Sequence, residues 1–255
     1  MKFEILDAQM RALETQGELR LARDGLWIAR LDGRGFTRLT KELLTLEKPF
    51  DARFHDAMST TLAHLFRCGF TLRLGYSQSD EISLLFEPNG VPFERKTRKI
   101  LSVLAGEASA CFSLALGTLG AFDCRLSHVL DENGAIDYFR WRQADAARNA
   151  LSAHCYWILR RQGHSPKAAT KQLDGLSLAQ KRTFLSENDV DFEALPRWQT
   201  RGFAARYETF EKEATDRKSG ASVRARRKRL VLERELPSGD EFGAWLREIL
   251  GEREA

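Results

Sequence analysis

Between Leu26 and Leu130 the chain passes through short apolar runs and longer helical stretches in a fixed order, and that order restricts the fold more than any other feature. Leu26 to Leu31 (LWIARL) reads as a strand. It stops at Asp32-Gly33-Arg34-Gly35, where the glycines permit backbone shapes that other residues resist. From Pro49 to Phe66, the residues Phe54, Met58, Leu62 and Leu65/Phe66 recur at the three- and four-residue steps of one helix face. Phe70 to Tyr76 alternates like a strand, and Ile82 to Phe86 follows across a turn. After Pro88-Asn89-Gly90 a helix is expected from about Phe93 to Leu119, then a strand from Ala121 to Leu130. The order is β-α-β-β-α-β, so the expected fold class is α+β with a ferredoxin-like unit. In that topology the end of the first strand meets the turn between the second and third at one edge of the sheet. Asp32 stands at the first place and Asp80 at the second.

Further along, Asp137 to Arg161 reads as a helix mixing aromatic and cationic residues (Tyr138, Phe139, Arg140, Trp141, Arg142). Shorter helices are expected near 165–173 and 177–187. Gly202 to Phe210 and Val223 to Leu236 read as a C-terminal β-hairpin, and a last helix runs from about Asp240 to Leu250. Residues 3–20 read as an amphipathic helix ending near Gly17. This divides the chain into an α+β unit over 1–135 and a helical and hairpin extension over 136–255, packed as one compact body.

Composition excludes several classes. Cys68, Cys111, Cys124 and Cys155 form no CxxC pair and have no His at zinc-ligand spacing, so they read as reduced, mostly buried thiols of a cytoplasmic protein. Ile100 to Phe122 is apolar but carries Glu107. A buried helix on a sheet therefore fits better than a membrane span. MKFEILDAQM is too charged for a signal peptide. A net charge of +4 is compatible with an anionic partner without requiring one.

Asp32 and Asp80 at one edge, beside a glycine carbonyl, form an oxygen-rich set that suits magnesium. Solvated turn residues account for the same two acids equally well. Gly33-Arg34-Gly35-Phe36-Thr37-Arg38 can point backbone N–H groups at an anion, although it is neither a Walker A nor a Rossmann loop. Arg95, Lys96, Arg98 and Lys99 stand at the start of the predicted long helix, where cations oppose the dipole; either a bound phosphate or plain solvation explains them. Arg224 to Arg229 (RARRKR) lies on a predicted strand and suits either a nucleic-acid backbone or a charge-protected edge. None of the five histidines forms an HExxH motif or a triad.

Three stretches together, "RLDGRGF" (30–36), "GYSQSDEIS" (75–83) and "YFRWRQADAARNAL" (138–151), resemble the histidine-tRNA guanylyltransferase family and its shorter 3′-5′ RNA polymerase relatives, over about residues 25–210. The resemblance implies a polymerase-type palm holding two Mg2+ ions on Asp32, the Gly33 carbonyl and Asp80, with Asp32 and Asp80 catalytic. It implies ATP and GTP as substrates, with the triphosphate bound by Arg34, Gly35, Phe36, Thr37, Arg38, Lys48, Ser79, Lys96 and Lys99. Arg142 and Asn149 would hold the tRNA 5′ end, and the assembly would be a homotetramer without membrane attachment. The implied reaction is ATP-dependent 5′-adenylylation of tRNA followed by attack of an incoming nucleotide's 3′-hydroxyl. Glu81 would be a structural neighbour, pointing away from Asp80 by strand alternation.

The family's His-Ile-Asn-Asn-Leu-Tyr-Asn signature is replaced here by Ala147-Arg148-Asn149-Ala150-Leu151-Ser152-Ala153, which keeps only Asn149 and Leu151. That departure favours template-dependent repair of tRNA 5′ ends over strict guanylate addition to histidine tRNA. A palm-fold nucleotide cyclase and a non-catalytic RNA-binding module are the rival readings.

Overall fold

The computed structural model describes residues 2–215 and 222–251. Its elements are α1 (Phe3–Thr15), β1 (Leu26–Gly33), α2 (Phe36–Arg38), α3 (Ala52–Leu65), β2 (Leu72–Gln78), β3 (Glu81–Phe86), α4 (Thr97–Leu116), β4 (Phe122–Val129), α5 (Glu132–Arg161), α6 (Pro166–Leu173), α7 (Leu178–Ser186), α8 (Arg197–Thr200), β5 (Phe203–Thr215), β6 (Ser222–Glu233) and α9 (Gly239–Gly251). The six strands form one antiparallel sheet in the order β4-β1-β3-β2-β5-β6. The C-terminal hairpin therefore extends the same sheet that the N-terminal half begins.

The sheet buries both faces. Ala29, Leu31, Ile82 and Leu84 pack against Met58 and Leu62 of α3 and Ile100, Leu104 and Phe112 of α4. Ile28, Leu74 and Leu85 face the other way, against Phe139 of α5 and Phe242 and Leu246 of α9. This explains why LWIARL is nearly continuously apolar: a strand covered on both sides has no solvent face to leave polar. α4 is long and apolar enough to cross a membrane, yet Ile100, Leu104, Ala108 and Phe112 are buried in the core and Glu107 bonds His64 at 2.6 Å.

α5 positions the functional region. Its 30 residues correspond to about 45 Å. The first turns pack on the sheet; the last pack against α7 and Phe192 through Leu151, Cys155 and Ile158. The middle of the helix passes the sheet edge where β1 ends.

Four expectations are corrected. α5 starts at Glu132 rather than Asp137, because the Asp131 carboxylate caps it by accepting from the Gly134 N–H. α4 starts at Thr97, not Phe93, because Phe93, Glu94 and Arg95 take positive φ. Arg95 is spent on the carbonyls of Leu21, Pro88 and Ala22, clipping the N-terminal segment to the helix start. Of the four free cysteines only Cys155 is buried; the other three are half-buried.

Candidate active site

β1 and the β2–β3 turn meet through a hydrogen bond from the Gly33 N–H to the Asp80 carbonyl, 3.1 Å. Register sets Asp32 opposite Glu81 on β3 and Asp123 on β4. Three carboxylates thus form a row across the strands, with Asp80 in the turn beside them. Their mutual effect is visible in protonation. Burial pushes the Asp80 carboxyl up to about 6, with the charges of Asp32 and Glu81 adding to it. Asp32 is also raised, first by burial and then by Glu81 and Asp123, while Arg30 and Arg125 oppose the shift. Arg125 lies 3.7 Å from Asp32 and 3.4 Å from Asp123.

Burial and neighbouring carboxylates disfavour the charged forms of Asp32 and Asp80, and a hard divalent cation bound there would offset that. Two carboxylates and a glycine carbonyl fit magnesium, which takes few protein ligands and completes its shell with water and phosphate oxygens. Among the described residues there is no cluster of three or more His, Cys, Asp or Glu side chains arranged to hold a metal.

Glu81 is the cross-strand partner of Asp32. Its carboxylate is already committed. It accepts from Arg142 Nη1 at 2.8 Å and Gln78 Nε2 at 3.2 Å. Arg142 is buried, its side chain 5% exposed, and its other fork reaches Asp145 at 3.2 Å. A direct grip on an RNA end is therefore not open to Arg142 here; it holds Glu81 in place.

A cavity of about 610 Å³ opens beside Asp80. Phe36, Thr37, Lys48, Ser79 and Asn149 of the expected site line it. Lys48 donates to the Thr40 carbonyl and sits 5.7 Å above the Trp157 ring; burial lowers its pKa. Ser79 takes φ 50° in the turn and its hydroxyl donates to Asp80 at 3.0 Å. Asn149 donates to Asp145 at 3.4 Å.

The glycine loop is built for close approach. A side chain at Gly33 would strike the Phe36 ring at 2.5 Å, and Gly35 has φ 75°. Phe36 itself is core, packed on Phe54, Phe112 and Phe122. The amides of Arg34 and Arg38 bond the Ala121 and Gly35 carbonyls. Phe36 and Thr37 occupy the first turn of α2, where intrahelical partners are lacking. Arg34, Gly35 and Arg38 are not on the cavity wall; the Arg38 side chain is exposed, 3.5 Å from Glu42. Lys96 and Lys99 are not on it either. Lys96 is paired with Glu18 at 3.4 Å and Glu94 at 3.8 Å.

Sequence reasoning missed the aromatic wall: Phe50, Tyr156, Trp157 and Trp198. It also missed Asp51, whose carboxyl is held down at about 2 chiefly by Arg53, and His55, stacked on Trp198 at 4.3 Å. Asp51 preceding a helical pattern is a readable N-cap signal; the aromatics carried none, since helices α5 and α8 meet α3 only in three dimensions.

His55 gives a test of this packing. Burial, then the Arg234 charge, lowers its pKa to about 4. The unfolded chain takes up a proton below about 6.5 while the folded protein resists until about 4, so stability falls on acidification across that window. The urea midpoint is expected to drop between pH 7 and pH 4.5, with a shallower drop in His55→Phe.

The family model described as tRNAHis guanylyltransferase matches residues 7–130, and that of the Thg1 C terminal domain matches 134–236. A probable tRNA(His) guanylyltransferase of Drosophila melanogaster is 28% identical over 69% of this chain and 65% of its own length. The tRNA(His) guanylyltransferase of Neurospora crassa is 31% identical over 62% of this chain and 58% of its own. The chain thus spans about three fifths of these curated relatives. Among solved structures, a bacterial tRNA(HIS) guanylyltransferase (Thg1)-like protein in complex with ATP superposes with a TM-score of 0.76 at 26% identity, covering 96% of this chain and 98% of that one. A GTP complex described in the same words gives a TM-score of 0.71 at 26% identity over the same shares.

Proposed function

The chain belongs to the tRNAHis guanylyltransferase family, and from that premise we propose that it is a magnesium-dependent tRNA nucleotidyltransferase working in the 3′-to-5′ direction. The observation that carries this reading is the hydrogen bond from the Gly33 N–H to the Asp80 carbonyl, which brings the end of β1, next to Asp32, against the turn that places Asp80 on the wall of the cavity of about 610 Å³. The strand order of β1 to β4 supports a palm-type catalytic unit over 1–135, with 136–255 as its RNA-contacting extension.

Two balanced transfers follow. In the first, the RNA 5′-phosphate attacks the α-phosphorus of ATP; a P–O bond forms, pyrophosphate leaves, and the end becomes 5′-adenylylated. In the second, the 3′-hydroxyl of an incoming nucleotide such as GTP attacks the RNA 5′-phosphorus and AMP leaves. Asp32, Asp80 and the Gly33 carbonyl would hold Mg2+, which when bound neutralises phosphate charge and favours ionisation of the attacking hydroxyl. Thr37, Ser79 and Lys48 line the cavity to meet the phosphates. The aromatic wall offers stacking surface to a base. Asn149 faces the RNA end, and Arg142 acts behind it by fixing Glu81. With no covalent intermediate on the protein, positioning and charge neutralisation suffice, and a catalytic His or Cys is not needed. A cytoplasmic homotetramer without membrane attachment completes the proposal.

The altered segment Ala147–Ala153 supports templated repair of tRNA 5′ ends. The protein is expected to add to a 5′-truncated tRNA the nucleotide complementary to the opposing base, faster than it adds guanylate to full-length histidine tRNA. Equal guanylate addition whatever the opposing base would overturn the repair assignment and leave the family intact.

A further inference from the structure

A second cavity, about 410 Å³, lies against other residues of α5 than those facing the first. That volume is within the range of small-ligand sites. Arg140, Arg182 and Arg201 are on its wall, facing the single wall carboxylate of Glu193. Each guanidinium has a carboxylate partner in the protein. Arg182 is 2.7 Å from Glu193 and stacks 4.9 Å from Phe192. Arg201 is 3.6 Å from the same Glu193 and donates to the Leu236 carbonyl at 3.2 Å. Arg140 is 2.9 Å from the exposed Asp240.

Trp141 supplies the other half. It is 54% exposed, far more than an indole needs to be in a packed helix, and it lines this cavity. It is also held still. The Arg142 guanidinium lies 3.7 Å from its ring centroid, and Tyr138 meets it edge-on at 5.7 Å. Ala144 and Ala147 leave the neighbouring wall of α5 low, and Gln143 is tied to the Pro237 carbonyl at 2.9 Å. An aromatic plane and three guanidiniums on one cavity wall match a base attached to a phosphate.

We propose that this cavity seats one nucleotide of the RNA substrate, its base on Trp141 and its phosphate on Arg140, Arg182 and Arg201. The assignment of RNA as the source rests on the function proposed above; the nucleoside-phosphate chemistry does not. Trp141 and Asn149 are eight positions apart on one helix, about 12 Å of rise, so one strand can occupy both cavities. Arg142 couples them, touching Trp141 on one side and Glu81 on the other.

The test is filter binding of 5′-monophosphorylated tRNA to the full chain across a salt series, with equilibrium dialysis of AMP alongside. Arg140→Gln/Arg182→Gln is expected to weaken tRNA binding about tenfold and to flatten the slope of log K against log salt by about 1. Trp141→Leu is expected to weaken binding about tenfold with the slope unchanged. A variant that merely loosened the fold would show a lowered urea midpoint and no such split. Unchanged tRNA and AMP binding in both variants overturns the seat. AMP binding lost in the variants while the wild type binds no tRNA keeps the seat and overturns the RNA reading.

Discussion

Asp80→Ala is expected to lose nucleotidyl transfer by about a thousand-fold or more while remaining folded. The carboxylate is one of two that would hold the cation, and removing such charge stabilisation costs several kcal/mol of barrier, roughly 4 kcal/mol for that factor. Stability should move little or rise. Burial holds the Asp80 carboxyl at about 6, which marks a group placed against its own preference. Loss of activity with an unchanged or higher urea midpoint separates a functional carboxylate from a structural one.

Arg142→Ala is expected to give the largest change in stability, about 3–5 kcal/mol, since it strands the Glu81 carboxylate in a part-buried site. Glu81→Gln in the same chain should recover much of that loss, because the cost lies in the unpaired charge rather than in the missing attraction. Chemical unfolding of the two single variants and the double variant measures this. A loss below about 1 kcal/mol in Arg142→Ala would mean that water solvates Glu81 and that the ion pair contributes as little as an exposed one.

The legible parts of the sequence were those set by local pattern and chain order. The apolar runs of β1, β2 and β3 carry their own periodicity, and their succession with α3 and α4 is what led to placing Asp32 beside the 79–80 turn; the structure brings them together. The polar wiring was not legible. Lys96 looked like a phosphate cation because Glu18, far away in sequence, gives no local sign that it folds back onto it. Arg142 looked like an RNA contact because nothing in WRQ says that its side chain turns inward to Glu81. Alternation within one strand gave no sign that Glu81 stands opposite Asp32, which comes from another strand. The aromatic wall escaped because Phe50, Trp157 and Trp198 belong to three separate segments.

The most direct measurement is transfer of label from ATP carrying radioactive α-phosphate, in magnesium, to RNA ending in a 5′-monophosphate. Wild-type protein is predicted to place the label on that RNA, none on the same RNA with a 5′-hydroxyl, and next to none in the Asp80→Ala variant. A labelled cyclic nucleotide formed without RNA, or undiminished labelling by Asp80→Ala, would contradict the account.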